Sequence, residues 1–431
     1  MKQQARQPGV RRREVFGWAM YDFANSGFTT VVITAVFSAY FVGAVAEGAA
    51  WGAFAWTTTL GVSYALVMLT MPALGAWADL HAAKKRLLML VTAMCVMLTA
   101  CLALVGPGDL WLAILLVILA NIAYSWGESV SYAFLPEIAT PDAIGKVSGW
   151  GWGLGYAGGM LTLGLCLAYV LSAQARGETA GDFVPVTMLI TAVMYGAASL
   201  FTFTLLKERA TPQVALAQPS GVHASLQRLK ATWQASRHYK DFSWLLTSAF
   251  FYQGGVAVAI TLAAIYAQQV IGFKSDEVMI LVFVINAAAM AGALAFGHFQ
   301  DRLGHRLTLA LTLVGWAVTC VWAGLATDKS TFWGAAWLAG ICMGSSQSSG
   351  RAMAGLLAPK QQLAEFYGLW SFATRLAAIA GPMLYGTITW ATDGDQRTAI
   401  FATTALFVLG LLCLIPMDMA RGRRSAEGAG H

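Results

Sequence analysis

The chain is poor in charged residues. Only 11% of its 431 residues are Asp, Glu, Lys or Arg, whereas 58% are hydrophobic, and the mean hydropathy is +0.62. A soluble domain carries about 25% charged residues and could not hide this much apolar surface. These proportions exclude an ordinary soluble protein and indicate a chain that crosses a membrane several times.

Paired cysteines and catalytic motifs are also missing. The six cysteines lie in apolar segments, and none forms a Cys-x-x-Cys pair or a Cys/His cluster. We therefore expect no disulfide framework, no metal and no cofactor. The patterns HExxH, GxSxG and Walker A are absent as well, so we expect neither an enzyme nor a pump driven by nucleotide hydrolysis.

Long apolar runs dominate the chain. A span needs about 20 apolar residues to cross a hydrocarbon core of about 30 Å. Twelve runs qualify, and they lie near 16–43, 52–78, 86–106, 110–134, 146–172, 184–206, 242–271, 277–299, 306–327, 331–355, 365–390 and 398–418. The sequence thus predicts an all-α membrane protein with two six-helix bundles, 1–206 and 242–431, joined by the polar linker 207–241. From about His223 the linker could form an amphipathic helix on the membrane surface.

Basic residues predict the orientation. With the N-terminus inside, 21 of the 27 Lys and Arg residues lie in inner segments, and only Arg176, Lys274, Lys329 and Arg397 lie in outer ones. The positive-inside rule then places both termini and the linker in the cytoplasm. We expect a cell inner or plasma membrane protein. Because topology explains the net charge of +6, we expect no nucleic-acid partner.

The two halves are related in sequence. "GAWADLHAAKKR" follows the second span, and "GHFQDRLGHR" follows the eighth. Gly75 and Asp79 map onto Gly297 and Asp301 with an offset of 222, and an offset of 223 maps Pro136 onto Pro359. This parallel repeat predicts two bundles related by a pseudo-two-fold axis along the membrane normal.

The repeated loop resembles the signature of the major facilitator superfamily, Gly-x-x-x-Asp-x-x-Gly-x-Arg. Its glycines would let a neighbouring helix approach, and its acids would accept hydrogen bonds from a helix N-terminus or pair with a basic residue. Such a contact can latch one state of a transporter. A tight turn with topology charges is the alternative interpretation. The basic residues of the signature are Lys84 and Lys85 in the first copy and Arg302 and Arg306 in the second.

Four ionisable residues lie inside predicted spans: Asp22, Glu128, Arg351 and Arg375. A charge at mid-bilayer costs about 2.5–3.5 kcal/mol on insertion scales, so such residues usually face a polar cavity and are partnered. A static structural ion pair is the alternative. Asp22 and Glu128 are the candidates for carrying a proton.

Glu128 and Arg351 occupy equivalent positions, because 223 residues separate them. Each precedes a proline by eight residues, which places both about 12 Å from the end of the span. We predict that they face each other across the axis and pair when the cytoplasmic side closes. Two charges about 4 Å apart attract by about 4 kcal/mol at an effective dielectric near 20, enough to bias a gate.

Polar residues extend these charges into stripes with helical spacing. The cavity candidates are Asp22, Asn25 and Ser26 on span one, Asn121, Tyr124 and Glu128 on span four, Gln347 and Arg351 on span ten, and Arg375 on span eleven. Interhelical hydrogen bonding that only holds the bundle together is the alternative for each amide and hydroxyl. Three tryptophans, Trp150, Trp152 and Trp370, either line the pathway or pack against lipid.

Several stretches resemble one branch of that superfamily, the vacuole effluxers named for autophagy-related fungal proteins. They are "WAMYDFANSGF", "GESVSYAFLPEIA", "QSSGRAMAGLLAP" and "AEFYGLWSFATRLAAIAGP". In the last stretch the family often has Lys where this chain has Arg375. The resemblance implies a twelve-helix transporter with alternating access that exports small metabolites. Amino acids are the substrates assigned to fungal members.

The sequence therefore predicts a monomeric secondary transporter in a lipid bilayer. Its cargo would be a small, amino-acid-like zwitterion, with protons as a candidate coupling ion. Arg375 would hold the cargo carboxylate, and Asp22 or Glu128 would meet an amine or carry a proton. A facilitative uniporter, an amphiphile or lipid transporter and a non-transporting membrane sensor remain as alternatives.

Overall fold

The computed structural model describes residues 5–49, 51–211 and 239–428, which are almost entirely helical. These ranges contain one isolated bridge, Arg6 to Ala139, and no strand. The helices are α1 Arg12–Val45, α2 Gly52–Leu80, α3 Lys84–Cys101, α4 Leu110–Tyr132, α5 Ile144–Ala175, α6 Ala180–Leu205, α7 Lys240–Gln269, α8 Ser275–Leu303, α9 His305–Leu325, α10 Lys329–Leu357, α11 Leu363–Ala391, α12 Gln396–Cys413 and the short α13 Met419–Gly428. Within α1, Phe28–Ala35 and Phe41–Val45 are π-helical.

Each predicted apolar run falls on one of the helices α1 to α12. Among the described residues, ten helices are long and apolar enough to cross a membrane. The other two, α10 and α11, have 29 residues each and carry Arg351 and Arg375. The prediction of twelve spans therefore stays a prediction. Most of the linker, including the segment from His223, lies outside the described residues, and the bundle boundaries also remain predictions.

The same helix pairing occurs in both halves. In the first half α1 packs against α5 and α6, α4 against α2 and α3, and α3 against α6. In the second half α7 packs against α11 and α12, α10 against α8 and α9, and α9 against α12. Adding six to each helix number converts one set into the other, which is the internal symmetry that the repeat predicts.

Two long seams join the halves. Helix α5 packs along α8, and helix α2 packs along α11, so the seams are related by the same symmetry. Smaller contacts join α5 to α10 and α4 to α11. The candidate site lies where these contacts and α1 meet.

The outer surface of the bundle is apolar. Large side chains point outward along the helices, among them Leu90 at 64%, Val193 at 67% and Leu325 at 65% exposure. Exposed tryptophans, including Trp111 at 80% and Trp390 at 83%, lie near helix ends, as in the aromatic belts of membrane proteins. A soluble protein does not leave this much apolar surface in water, whereas lipid covers it.

Candidate functional site

Both signature acids cap a helix of the other half. Asp79, at the end of α2, accepts hydrogen bonds through Oδ2 from the backbone N–H groups of Ala364 (2.8 Å) and Glu365 (3.1 Å), which begin α11. Asp301, at the end of α8, accepts from the N–H groups of Gly145 (3.0 Å) and Lys146 (2.9 Å), which begin α5. A carboxylate satisfies the free donors of a helix N-terminus and interacts favourably with its dipole. We call this end of the bundle, where both acids join the halves, the signature end.

The signature glycines lie where backbones meet. A Cβ added to Gly75 would lie 2.4 Å from the carbonyl oxygen of Ala364. One added to Gly297 would lie 2.9 Å from Cα of Gly149 and 3.0 Å from the carbonyl oxygen of Gly145. Only glycine allows α2 to approach α11, and α8 to approach α5, this closely.

The basic signature residues behave differently in the two copies. Lys84 is 1% exposed, forms an ion pair with Glu137 and lies 3.7 Å from Oδ1 of Asp79. Arg302 and Arg306 are exposed, and Arg306 donates to the carbonyl oxygen of Ile415 at 2.9 Å. Only the first copy therefore combines its acid with a buried base.

One of the four membrane charges, Arg351, is buried and paired with Asp22. Nη1 of Arg351 donates to Oδ2 of Asp22 at 2.5 Å, and the two side chains are 1% and 7% exposed. Two further bonds go to Ser148, from Nε to the hydroxyl (3.0 Å) and from Nη2 to the backbone carbonyl (2.6 Å). Because Arg351 belongs to α10 while Asp22 and Ser148 belong to α1 and α5, this charge joins the two halves.

Three rings surround the same guanidinium. Its Cζ lies 4.8 Å from the ring centroids of Trp18 and Tyr132 and 5.3 Å from that of Trp152. Cations over aromatic faces at such distances gain about 0.5–2 kcal/mol each. We call Trp18, Tyr132 and Trp152 the aromatic cage. The ion pair, the carbonyl of Ser148 and the cage together offset the cost of burying Arg351.

The second pair, Glu128 with Arg375, is less buried. Nη2 of Arg375 donates to Oε2 of Glu128 at 2.5 Å, and the side chains are 15% and 18% exposed. The hydroxyls of Tyr124 (3.0 Å) and Tyr132 (3.1 Å) donate to Oε1 of Glu128. The guanidinium of Arg375 also lies 5.3 Å from the ring of Tyr64. Tyr132 touches both pairs, with its hydroxyl on Glu128 and its ring against Arg351.

The predicted pairing of Glu128 with Arg351 is therefore wrong. With the signature end closed, Glu128 pairs with Arg375 and Arg351 pairs with Asp22. The reason is geometric: two residues related by a two-fold axis are separated by twice their distance from it, so they touch only when both lie close to the axis. Away from it, a residue of α4 meets α11 and its counterpart on α10 meets α5.

The predicted polar residues have several different environments. Ser26 donates to the backbone carbonyl of Asp22 at 2.7 Å, and Asn25 is 4% exposed. Asn121 donates to the hydroxyl of Ser63 at 2.6 Å and so joins α4 to α2. This contact matches the alternative interpretation, in which the amide forms an interhelical hydrogen bond that holds the bundle together. Gln347 accepts from the side-chain amide of Gln253 at 2.8 Å, which joins α10 to α7.

Sequence reasoning missed the role of Ser148, Trp18 and Tyr64 and left Trp152 undecided. Ser148 acts mainly through its backbone carbonyl, which no side-chain pattern reports. Trp152 had a usable signal, because it precedes Arg375 by the repeat offset of 223. The symmetry that relates Glu128 to Arg351 therefore also relates Arg375 to Trp152, so that the ion pair between α4 and α11 corresponds to a cation–π contact between α10 and α5.

Glycines on α5 make room for the buried pair. A Cβ on Gly151 would lie 2.4 Å from Oδ2 of Asp22 and 2.6 Å from Nη2 of Arg351, and one on Gly158 would lie 2.1 Å from the carbonyl oxygen of Phe23. These glycines thus allow close helix packing, which lets α1 and α10 meet against α5.

Gly151→Ala is expected to separate Asp22 from Arg351 and to destabilise the protein by about 1–3 kcal/mol, the usual cost of overpacking. Thermal unfolding of the purified protein measures this change. Gly164→Ala, on the same helix with nothing within 4 Å of the added Cβ, is the control. Equal melting temperatures for the two variants would contradict the geometry.

A cavity of about 670 Å³ lies at the end of the bundle opposite the signature end. Helix α11 contributes Pro382, Gly386 and Trp390 to its wall, and α7 contributes Leu262 and Ile265. At about 100° per residue, Pro382 and Gly386 lie on the face of α11 that carries Arg375. Arg375 does not line this cavity, but the face of α11 that carries it lines the cavity two turns further along.

Comparisons with known proteins agree with these features. The profile of the family described as "Vacuole effluxer Atg22 like" matches residues 50–427. The chain is 30% identical to YxiO of Bacillus subtilis, described as an uncharacterized MFS-type transporter, over 92% of this chain and 93% of that protein. It is 24% identical to autophagy-related protein 22-1 of Aspergillus niger over 70% of this chain and 52% of that protein, so it spans about half of the fungal relative.

Solved structures show the fold. The human organic anion transporter MFSD10 superposes with a TM-score of 0.73 at 15% identity, over 95% of this chain and 100% of that one. A bacterial homologue of the iron transporter ferroportin, crystallised in an outward-facing state, superposes with a TM-score of 0.70 at 14% identity, over 94% and 98% of the two chains. The all-helical architecture is that of the major facilitator fold.

Proposed function

Because the chain belongs to the Atg22-like vacuole effluxer family, a group of major facilitator transporters and not enzymes, we propose that it exports a small zwitterionic, amino-acid-like metabolite by alternating access. The observation that carries this proposal is the partly exposed pair of Glu128 with Arg375.

Charge balance at this pair favours a zwitterion. A cargo carboxylate that binds Arg375 displaces Glu128, and the amine of the same cargo can then pair with Glu128. Every charge keeps a partner, so no uncompensated charge is left in a low-dielectric site. An anion would leave Glu128 unpaired unless it took up a proton, and a simple cation would leave Arg375 unpaired.

The hydrogen bonding of Arg375 supports the same conclusion. Its Nε is buried and has no partner among the described residues, whereas Nη2, on the same edge of the guanidinium, donates to Glu128. A carboxylate matches two adjacent guanidinium donors, and such two-pronged bonds are stronger and more specific than single ones. Arg375 therefore has an unused donor beside the bond that cargo would replace.

The carboxylates of Asp22 and Glu128 are also the candidates for carrying a coupled proton. Asp22 and Glu128 are both paired with arginine in this state, so a proton would have to compete with a guanidinium. We propose that a zwitterion crosses without an obligatory proton, and that coupling through Glu128 applies to anionic cargo only.

Orientation is part of the proposal. The excess of basic residues beside the signature end assigns that end to the cytoplasm, and with it both termini. The contacts of Asp79 and Asp301 then describe a state closed toward the cytoplasm. We propose a monomer in the inner or plasma membrane whose partners are the cargo and the lipid bilayer.

Flux of labelled amino acids in proteoliposomes, with and without a pH gradient, tests this function. Arg375→Gln is expected to lower kcat/KM by about 10- to 150-fold, because a hydrogen bond to a charged group contributes about 1.5–3 kcal/mol. Arg424→Gln, at an exposed arginine of α13, is the control and should leave flux unchanged.

Each alternative gives a different result. Zwitterion flux that is unaffected by collapsing the pH gradient is the expected result and makes the protein a uniporter for that cargo, whereas flux that falls with the gradient indicates obligatory proton coupling. Competition by detergent-like molecules indicates an amphiphile transporter. Binding without flux indicates a sensor. Unchanged flux in Arg375→Gln would refute the role given to the pair of Glu128 with Arg375.

A further inference from the structure

Within the described ranges, every group that contacts the guanidinium of Arg351 belongs to the first half. Trp18 and Asp22 are on α1, Tyr132 is on α4, and Ser148 and Trp152 are on α5. Arg351 itself is on α10 and reaches across the seam. When the halves separate at the signature end, Arg351 moves away with α10, and its carboxylate, carbonyl and ring partners stay together.

The vacated site would have a clear chemical preference. Three aromatic faces attract a cation through their quadrupoles, and the carboxylate of Asp22 adds a full negative charge. Leaving Asp22 unpaired in a partly desolvated site costs several kcal/mol, so another cation is favoured there. A guanidinium or alkylammonium group fits, since a guanidinium already occupies the site in the closed state.

We propose that the aromatic cage with Asp22 and Ser148 is a binding site for the cationic side chain of the cargo, and that Arg351 occupies it as a tethered ligand while the signature end is closed. The inference rests on the proposed function, because it assigns a second contact to the same cargo. The preferred substrates are then amino acids with a guanidinium or ammonium side chain.

The spacing of the two pairs is consistent with one cargo molecule touching both. The hydroxyl of Tyr132 donates to Glu128, the partner of Arg375, at 3.1 Å, and its ring lies against Arg351 at 4.8 Å. One tyrosine side chain therefore separates the pair that would bind the cargo carboxylate from the site that would bind the cationic end. A basic amino acid likewise carries its carboxylate and its cationic group at opposite ends of one chain.

Binding of small cations to the full-length purified protein tests the site without requiring transport. Arg351→Ala empties the cage, so methylguanidinium is expected to raise the melting temperature of this variant, while the neutral methylurea does not. The wild type should show no such shift, because Arg351 fills the cage. The double variant Asp22→Asn/Arg351→Ala is expected to lose the shift.

An equal shift in the double variant, or an equal shift with methylurea, overturns the proposed site. Arg351→Gln, which removes the charge but keeps hydrogen-bonding groups near Ser148, replaces Arg351→Ala if that variant does not fold. The same comparison of methylguanidinium with methylurea then decides the matter.

Flux through wild-type protein in proteoliposomes tests the cargo class. Arginine is expected to have a kcat/KM at least tenfold above that of leucine. Leucine moving as well as or better than arginine overturns this inference but leaves the proposed function supported. Absence of flux for every amino acid instead overturns the proposed function, and methylguanidinium binding to Arg351→Ala alone then decides whether the site exists.

Discussion

Replacing Asp22 with Asn is expected to destabilise the protein by about 3–5 kcal/mol, because it leaves a buried guanidinium without its counter-charge. Arg351 is only 1% exposed in this state. The bonds to Ser148 and the contacts of the aromatic cage remain, but none of them supplies a negative charge. Thermal and denaturant unfolding of the purified protein measure the loss, and transport is expected to fall with it.

The double variant Asp22→Asn/Arg351→Gln separates charge pairing from packing. Removing both charges leaves no unpaired ion, so this variant is expected to be more stable than Asp22→Asn alone. Asp142→Asn, at an exposed position in the loop before α5, is the control and should change stability little. A double variant that loses the sum of the two single losses would show that the two charges do not interact.

Gly75→Ala is expected to open the signature end. The added Cβ would lie 2.4 Å from a backbone oxygen of α11, which cannot move aside as a side chain can. Overpacking of this kind costs about 1–3 kcal/mol and acts only on the closed state. The closed population should therefore fall by about 5- to 150-fold relative to the open one.

Labelling of a cysteine introduced at Ala78 measures that change. Ala78 is fully buried in the closed state and lies one turn from Gly75. A membrane-impermeant thiol reagent should react with it faster in Gly75→Ala than in the parent, after subtraction of the signal from the six native cysteines. Gly61→Ala, on the same helix with no atom within 4 Å of the added Cβ, should leave the rate unchanged.

Some features of this protein follow directly from its sequence. Apolar runs locate the helices α1 to α12, and ten of these are long and apolar enough, among the described residues, to cross a membrane. The repeat predicts the paired signature loops, and the structure shows Asp79 and Asp301 capping helices of the opposite half. The cost of burying charge also predicts that Asp22, Glu128, Arg351 and Arg375 have partners, and each of them does.

The choice of partners could not be predicted in the same way. The repeat shows that Glu128 and Arg351 are equivalent positions. It does not show how far each residue lies from the symmetry axis, and that distance decides whether the two side chains can meet. The environment of Arg351 depends on rings from three helices and on one backbone carbonyl. Trp18 with Asp22, and Ser148 with Trp152, are each spaced for one helix face, but that spacing does not show that the two faces meet at Arg351.

The unequal signature loops leave the two acids in different surroundings once the halves separate. Asp79 has the buried cation of Lys84 beside it, whereas the bases of the second copy, Arg302 and Arg306, are exposed to solvent. Lys84 begins α3, in the same half as Asp79, so it does not connect α2 to α11 and stays beside Asp79 when that seam opens. Opening therefore leaves Asp79 next to a buried cation, while Asp301 must replace the N–H donors of α5 with water.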